Sequence, residues 1–327
     1  MSPILQGILT IIIGVGGCVG YFFLSNLILD RFIFPPRSND QGRNIARATA
    51  VRPWLFLLPA MLALGLYLVY PVIGSFIRSL YNRSGNTFIG LDNYIQMFGE
   101  HGFRVALFNN FLWILFVPAA ATFYGLLVAQ LTDRLNWGSI AKSLIFMPMA
   151  ISFVGASLIW KFVYANDPDI GIINAIRDYF GAQPIDPMQI PFWNNFFIML
   201  IMVWMQTGFA MVILSAALRG IPEETVEAAI VDGANPFQIF FKIKMPQIVG
   251  TIVVVWTTIT IIVLKVFDIV FAMTNGQWET QVLANYMYDK LFRANDWGMG
   301  SASAMIIMLM VTPILVWNVY NARKEMQ

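Results

Sequence analysis

Few side chains in this sequence could carry out chemistry by themselves. Its 327 residues include one histidine, His101, and one cysteine, Cys18, which excludes His-rich metal sites, cysteine clusters and an intrachain disulfide. Lys265 and Asp268 are the one pair of opposite charges that shares a long apolar stretch. On a single helix, side chains at this spacing would face each other and neutralise their charges. We therefore predict an intramembrane ion pair that fixes helix packing, with solute binding or proton relay as the alternative, and no catalytic residue or metal ligand.

The composition indicates what kind of elements must position these residues. Apolar residues make up 58% of the chain and charged residues only 12%, and the mean hydropathy is +0.68. A soluble domain carries about 25% charged residues, so a soluble chain of this size could not cover its surface. The net charge of +2, without a long basic run, argues against a nucleic-acid partner. We predict an integral membrane protein in contact with membrane lipid.

Seven apolar stretches are long enough to cross a membrane as helices. Crossing about 30 Å of hydrocarbon takes about 20 residues, and a lipid-exposed segment must satisfy its own backbone hydrogen bonds. The stretches are residues 4–29, 54–77, 105–131, 144–164, 193–218, 248–273 and 301–320. The first lacks a preceding basic segment and is followed by five arginines, which favours a retained helix over a cleaved signal peptide. The predicted fold class is an all-α membrane protein with seven transmembrane helices.

The distribution of Lys and Arg predicts the orientation of these helices. One set of connecting segments holds twelve Lys and Arg residues and the other set holds six. The more basic side is expected to be cytoplasmic, which places the N-terminus outside and the C-terminus inside a bacterial inner membrane. The outward loop 165–192 holds four aspartates and one arginine, Arg177. Such a loop is either simply solvated or a docking surface.

The segment 221–246, which we call the coupling loop, is unlike an ordinary connector. Pro222 suits the first position of a helix, and Gly233 suits a left-handed C-terminal cap. Asn235 then resembles the N-cap of a second short helix, which Pro246 is expected to end. Two short helices should therefore protrude into the cytoplasm, with phenylalanines at 237, 240 and 241. Such exposed rings favour a partner surface, and an interfacial helix lying on lipid headgroups is the alternative.

The coupling loop resembles the EAA motif of ATP-binding-cassette (ABC) importer permeases. The matching residues are Glu227-Ala228-Ala229, Gly233, Ile243 and Met245-Pro246, where the usual form ends in Leu-Pro. Other shared features are Pro53-Trp54, residues 204–208, Phe267-Asp268 and Thr274-Asn275-Gly276, which resemble the maltose-type carbohydrate permeases. Residues 265–268 and 277–281 are most similar to the α-glucoside and glucosylglycerol branch. The resemblance implies a six-helix permease core over 53–327, preceded by an extra helix and basic cytoplasmic linker over 1–52.

The resemblance also implies a division of labour between subunits. This chain would pair with a second permease, two copies of an ABC ATPase would bind the EAA loops, and an extracytoplasmic solute-binding protein would deliver an uncharged sugar or glycoside. The sequence has no Gly-x-x-x-x-Gly-Lys-Ser/Thr phosphate loop, so ATP and Mg would be bound by the partner ATPase and no cofactor by this chain. The residues implied in ATPase coupling are Glu227, Ala228, Ala229, Asp232, Gly233, Phe237, Ile243 and Pro246.

Positions that match the sugar pocket of the maltose-type relatives are almost entirely apolar here. They are Met149, Phe153, Met205, Gln206, Phe209, Ile262, Val263 and Val266, together with Met202 and Ile259. Only Gln206 can form hydrogen bonds through its side chain, which suggests a smaller or looser site, or one in the partner permease. Plain helix packing is the alternative for this set. A secondary transporter is the alternative function, while a membrane enzyme would need a cluster of acids or histidines that the sequence lacks.

Overall fold

The computed structural model describes residues 2–35, 41–133 and 135–325. Nearly all of this part is helical, and its one β-type pairing is an isolated bridge between Tyr81 and Phe88. The α-helices are α1 Pro3–Ile28, α2 Gln41–Leu64, α3 Tyr70–Ser79, α4 Asp92–Gly99, α5 His101–Thr132, α6 Gly138–Phe146, α7 Phe153–Val163, α8 Ile172–Tyr179, α9 Trp193–Arg219, α10 Glu223–Val231, α11 Pro236–Gln238, α12 Met245–Leu264, α13 Asp268–Met273, α14 Leu283–Tyr288 and α15 Trp297–Glu325. The all-α prediction is confirmed.

Short π-helical and 3₁₀-helical segments lie between several of these α-helices. Segments of π-helix cover Leu29–Ile33, Gly65–Val69, Ile239–Lys244 and Asp289–Arg293, and short 3₁₀ segments cover Met147–Ala150 and Pro187–Gln189. The chain divides into two compact units, Met1–Gly74 and Ser75–Gln327. The boundary predicted after residue 52 remains a prediction. Part of the predicted basic linker, residues 36–40, lies outside the described residues, and the rest of it begins α2.

Six helices in the described residues are long and apolar enough to cross a membrane, and one bent pair raises the number to as many as seven. The six are Pro3–Ile33, Gly42–Ser79, His101–Thr132, Trp193–Arg219, Pro236–Leu264 and Trp297–Trp317. Each coincides with a predicted span. The prediction of seven transmembrane helices agrees with this count when the bent pair is taken as one span.

The predicted fourth span, 144–164, is not one straight helix. Gly138–Ala150 and Phe153–Val163 meet at an angle of 107°. Ile151 between them is extended, and Ser152 begins the new helix as an N-cap whose Oγ accepts the Gly155 N–H at 3.1 Å. In a continuous helix the Gly155 N–H would donate to a backbone carbonyl. Because the Ser152 side chain accepts this hydrogen bond instead, the chain can turn here without leaving the N–H unpaired.

The first unit contains α1 and α2. Arg52 donates to both carboxylate oxygens of Asp30, at 2.8 and 2.9 Å, and the Tyr21 hydroxyl donates to the Leu55 carbonyl at 2.8 Å. These contacts join the two helices at two levels. In the most apolar stretch of each helix, no residue is buried by the rest of this chain. Such helices fit segments that face lipid or another subunit.

The second unit is organised around α5, α9 and α12, which form its main packing contacts. Trp113, Met211 and Ile259 are fully buried, one on each of these helices. Gly125 and Gly208 allow close approach of neighbouring backbones, since an added Cβ would meet main-chain atoms of α9 and of Ile145, respectively. Small residues at such crossings are typical of packed membrane helices.

Candidate functional site

A cavity of about 480 Å³ lies in the second unit, and we call it the Gln206 cavity. The bend before α7 supplies one wall, α9 a second, and α12 with the start of α13 a third. Its lining residues are Met149, Ile151, Ser152, Phe153, Val154, Met205, Gln206, Phe209, Thr258, Ile262 and Asp268. Six of the eight predicted pathway positions lie together on this surface.

The other two pathway positions lie elsewhere. Val266 borders an adjoining recess of about 170 Å³, together with Met202, Lys265 and Asp268. Val263 is fully buried in the helix core. It follows Ile262 on α12, and one residue turns the side chain by about 100° around a helix of 3.6 residues per turn, away from the cavity.

Gln206 carries an unused hydrogen-bond acceptor in the cavity wall. The residue is only 5% exposed, and its Oε1 has no hydrogen-bond partner in the described structure. The Nε2 group has only the Met202 sulfur, at 3.9 Å, which is a weak acceptor. A buried amide left in this state costs free energy unless a ligand or water completes it. Gln206 is therefore the one amide of the cavity lining whose oxygen is buried and left without a hydrogen-bond donor.

Two other polar side chains on the cavity wall are already engaged by their own helices. The Thr258 hydroxyl donates to the Val254 carbonyl at 2.7 Å, and the Ser152 Oγ caps α7. By contrast, Asp268 is exposed to the cavity and forms no ion pair with any described residue. Gln206 and Asp268 are thus the two wall residues whose side-chain acceptors have no hydrogen-bond partner in the described structure.

Lys265 and Asp268, predicted as an ion pair, form none in the described residues, although both border the recess of about 170 Å³. The sixth span does not continue as one helix through residue 273: α12 ends at Leu264, and α13 begins at Asp268. Phe267 takes φ −138° and ψ −60°, outside helical values, so the three-residue spacing no longer places the two side chains on one face. The sequence signal that could have assigned Asp268 to the cavity was the presence of a carboxylate, without an ion-pair partner, in an apolar span.

The turn that follows α13 is held by buried amide side chains from two other helices. Trp278 and Glu279 take positive φ values of 53° and 62°, which are unfavourable for such residues. Asn194 of α9 donates to the Trp278 carbonyl at 2.7 Å, and Asn109 of α5 donates to the Glu279 carbonyl at 2.7 Å. These bonds compensate the strain and fix the turn that follows the cavity wall.

The coupling loop contains the two short helices that the sequence predicted. Gly233 has φ +81° and ends α10 in a Schellman arrangement: Ala234 N–H donates to the Ala229 carbonyl and Gly233 N–H to the Ile230 carbonyl, at 2.9 and 3.0 Å. Asn235 and Gln238 form a reciprocal capping box at the start of the second helix. Pro222 precedes α10 as its N-cap, one position before the predicted place.

The prediction that Pro246 ends the second short helix is wrong. A single helix runs from Pro236 to Leu264, so the coupling element is continuous with the sixth span. The segment Ile239–Lys244 is π-helical, and Met245 N–H donates to the Phe240 carbonyl five residues back. Because the hydrogen-bond ladder is already offset here, Pro246 can lie in the first turn of α12 without breaking the helix.

Large apolar side chains are exposed on the coupling loop. Val231 is 86% exposed and Phe237 78%, with Ile230 and Phe241 also exposed. Of the residues implied in coupling, Glu227, Ala228, Asp232, Phe237 and Pro246 are exposed, Gly233 lies in the turn between the helices, Ile243 is half-buried and Ala229 is buried. An exposed apolar patch rimmed by charge is typical of a protein interface.

A charged cleft of about 490 Å³ lies at the base of this loop. Glu223 and Glu227 of α10 border it, together with Lys244. Asp133, at the end of α5, accepts a hydrogen bond from Lys142 at 2.7 Å and lies 3.4 Å from the Arg219 Nε. The ends of α5 and α9 are thus tied to α6 beside the point where the coupling loop begins.

The family to which this chain belongs is shown by comparison with known proteins. Residues 4–325 match the family of binding-protein-dependent transport system inner membrane components. The chain belongs to this family and is a multi-pass permease subunit of the inner membrane. Two relatives are similar over nearly their whole lengths. The α-glucoside transport system permease protein AglF of Rhizobium meliloti (strain 1021) is 59% identical over 99% of both chains. The osmoprotective compounds uptake permease protein GgtC of Synechocystis sp. is 45% identical over 83% of this chain and 99% of its own.

Solved structures support the same fold. A chain of a bacterial ABC transporter involved in the import of the acidic polysaccharide alginate superposes with a TM-score of 0.73, at 21% sequence identity, covering 86% of this chain and 98% of that one. A second structure of the bacterial alginate transporter, in complex with a pentasaccharide-bound periplasmic protein, gives 0.72 at the same identity. The resemblance to ABC importer permeases is confirmed.

Proposed function

We propose that this chain forms, with a second permease, the membrane pathway of an ATP-driven importer for an uncharged glycoside of the α-glucoside type. The observation that carries this proposal is the Gln206 cavity, whose apolar walls surround one unpartnered amide and one unpaired carboxylate. Sugars need apolar or aromatic faces and a few well-placed hydrogen-bond partners. The name of the AglF relative, at 59% identity, supports the α-glucoside class.

The charge of the cavity wall supports an uncharged solute. The Asp268 carboxylate is an acceptor for sugar hydroxyls, and a bond to a charged acceptor is stronger than one between neutral groups. The same carboxylate would repel an anionic solute, because the lining of the Gln206 cavity contains no Lys or Arg, and Lys265 in the adjoining recess forms no ion pair with Asp268. A neutral, hydroxyl-rich solute is therefore favoured over an acidic one.

The coupling loop supports the ATPase part of the proposal. Its exposed apolar residues at 231, 237 and 241 need a partner surface, and the helix that begins at Pro236 continues into the sixth span. A rigid displacement of the loop by an ATPase subunit would thus move α12, which forms part of the cavity wall. Glu227 is exposed beside this patch and would pair with a basic group on the ATPase.

We expect the N-terminus to face outward and the C-terminus the cytoplasm. The twofold excess of Lys and Arg on one set of connecting segments is the physical reason. A cysteine added at the N-terminus, in a chain whose own Cys18 is replaced by serine, should react with a membrane-impermeant maleimide in intact cells. A cysteine added at the C-terminus should react only after the membrane is opened. The reverse pattern would contradict this orientation.

The function is tested by reconstituting the chain with the second permease, ATPase and binding protein of its own transport system. α-Glucosides should stimulate ATP hydrolysis and enter the vesicles, and acidic sugars should not. Gln206→Leu is expected to lower uptake at subsaturating solute about fivefold, as one hydrogen bond is worth ~1 kcal/mol. Asp268→Asn should lower it about tenfold, because bonds to a charged acceptor are stronger.

Thr258→Val is the matched control on the same wall. Its hydroxyl is already bonded within α12, so uptake should stay at the wild-type level. Equal effects of all three variants would contradict the assignment of the cavity as the solute site. Uptake that collapses with an uncoupler at constant ATP would instead favour a proton-coupled secondary transporter that uses Asp268.

A further inference from the structure

A second hollow in this unit combines apolar walls with a single cation, and we call it the Lys265 crevice. Its volume is about 370 Å³. Ala284 and Met287 of α14 form one wall, and Ala304 and Ile307 of α15 form another. The break after α12 places Lys265 at its edge. No acidic residue lines the crevice.

The Lys265 ammonium is unpaired among the described residues. It is exposed, and it forms no hydrogen bond or ion pair. Asp268, the acid nearest to it along the chain, lies beyond the helix break. The neighbouring cation Arg293 is already engaged, at 3.1 Å from both Asp289 and the Asn275 side chain. A cation within an apolar span needs an anion or a route to the headgroups. Asp268 borders the recess on the other side of Lys265 but forms no ion pair with it.

The depth of the crevice fits a phospholipid. Ala304 and Ile307 lie seven and ten residues into α15, which starts at Trp297. At 1.5 Å per residue they are about 10–15 Å below that end, which is the outer end in the proposed orientation. A lysine at this level can extend its apolar stem toward the headgroups while the stem stays against apolar walls.

We propose that the Lys265 crevice binds one anionic phospholipid, with its phosphate against the Lys265 ammonium and an acyl chain along α14 and α15. Two observations select this occupant. The unpaired cation complements a phosphate group, and the remaining lining residues are apolar or aromatic, as contact with an acyl chain requires. Only the depth argument rests on the proposed orientation; the site itself requires neither solute nor ATP.

The experiment measures lipid retention by the full-length chain. The protein is reconstituted in nanodiscs with equal amounts of phosphatidylglycerol and phosphatidylcholine, extracted with mild detergent, and analysed by native mass spectrometry. Wild-type protein should retain one phosphatidylglycerol in preference to phosphatidylcholine. Lys265→Gln should lower the phosphatidylglycerol-bound fraction about fivefold, the effect of one basic residue near an anionic lipid surface.

Two further variants separate this site from general attraction to lipid. Lys161→Gln removes another exposed lysine, on α7, that is outside the crevice, and should leave retention unchanged. Ala304→Trp fills the crevice and should lower retention without changing any charge. Equal retention by wild type and Lys265→Gln would overturn the proposal. Displacement of the lipid by millimolar inorganic phosphate alone would also overturn it, since the acyl chain would then contribute nothing. So would loss of the lipid when the second permease binds, because the partner would then be the occupant.

Discussion

Replacing Gly233 with valine is expected to uncouple ATP hydrolysis from transport while leaving the chain in the membrane. The residue holds φ +81° at the turn between the two helices of the coupling loop. An added Cβ would meet nothing within 4 Å, so the effect comes from the backbone conformation and not from a steric clash. A residue with a Cβ in this region is strained by ~1–2 kcal/mol, and a β-branched side chain by more. Because about 1.4 kcal/mol is a tenfold change in an equilibrium, the native turn should become a minor state.

The measurement is co-purification of the ATPase subunit together with solute-stimulated hydrolysis in vesicles. Gly233→Val should lower the recovery of the ATPase subunit and the rate of solute-stimulated hydrolysis about tenfold or more, because of the backbone strain given above. Gly233→Asn is the conservative variant, because asparagine tolerates the left-handed region, and it should recover most of the activity. Gly220→Ala, at a glycine beside the same loop with φ −76°, should have little effect. Wild-type values for Gly233→Val in both assays would mean that this loop is not the coupling element.

The parts of the fold that the sequence predicted well are those set by local rules. Span length follows from the thickness of the bilayer, and six predicted stretches coincide with helices that could cross it. The cap at Gly233 and the capping box at Asn235 depend on one or two residues and their immediate backbone, which is why their residue types identify them. The EAA spacing then located the loop within the chain.

Apart from the helix end expected at Pro246, the features that the sequence did not predict are breaks inside apolar segments. The stretches 144–164 and 248–273 are mostly apolar along their whole length, which predicts one continuous helix in each. Each nevertheless contains a break in the helix, at residues 151–152 and 265–267 respectively. Inside a membrane protein such breaks are tolerated where they border a cavity, because neighbouring helices can satisfy the freed backbone groups. Asn110 illustrates this: its side chain donates to the Leu264 carbonyl at the end of α12, at 3.3 Å. That partner is more than 150 residues away in sequence, so no local pattern could have indicated it.

The two breaks also explain why the candidate site was only partly predicted. The resemblance identified most of the cavity positions on α9 and α12, where the helical period is regular. Asp268 lies just past the second break and borders the Gln206 cavity. Lys265 lies just before that break and borders the Lys265 crevice. Both residues also border the small recess between α12 and α13, yet they form no ion pair there, because the backbone between them is not helical.

A large loss of stability is expected on adding a side chain at Gly125, where α5 packs directly against the backbone of α9. A Cβ added at this position would lie 2.5 Å from the Ala210 Cβ and 2.8 Å from the Met211 backbone nitrogen. Neither atom belongs to a flexible side chain, so accommodating it requires the two helices to move apart. Both helices belong to the main packed core of the second unit, and the separation would open contacts made by buried neighbours such as Trp113.

Gly125→Ala is therefore expected to destabilise the protein by ~1–3 kcal/mol, the usual cost of overpacking a core. For a unit of this size that corresponds to a decrease in Tm of about 2–12 °C. Gly102→Ala on the same helix is the matched control, since its Cβ would lie 4.0 Å from the Tyr286 ring, an ordinary contact. Replacing glycine with alanine inside a helix contributes ~0.5–1 kcal/mol when space is available, so Gly102→Ala should leave Tm unchanged or raise it. The two variants are compared by thermal unfolding in the same detergent. Their changes in Tm are expected to have opposite signs, because the change in helix propensity is the same and only the space available to the added Cβ differs. If the two alanine variants unfold at the same temperature, the close crossing of α5 and α9 does not limit the stability of this permease.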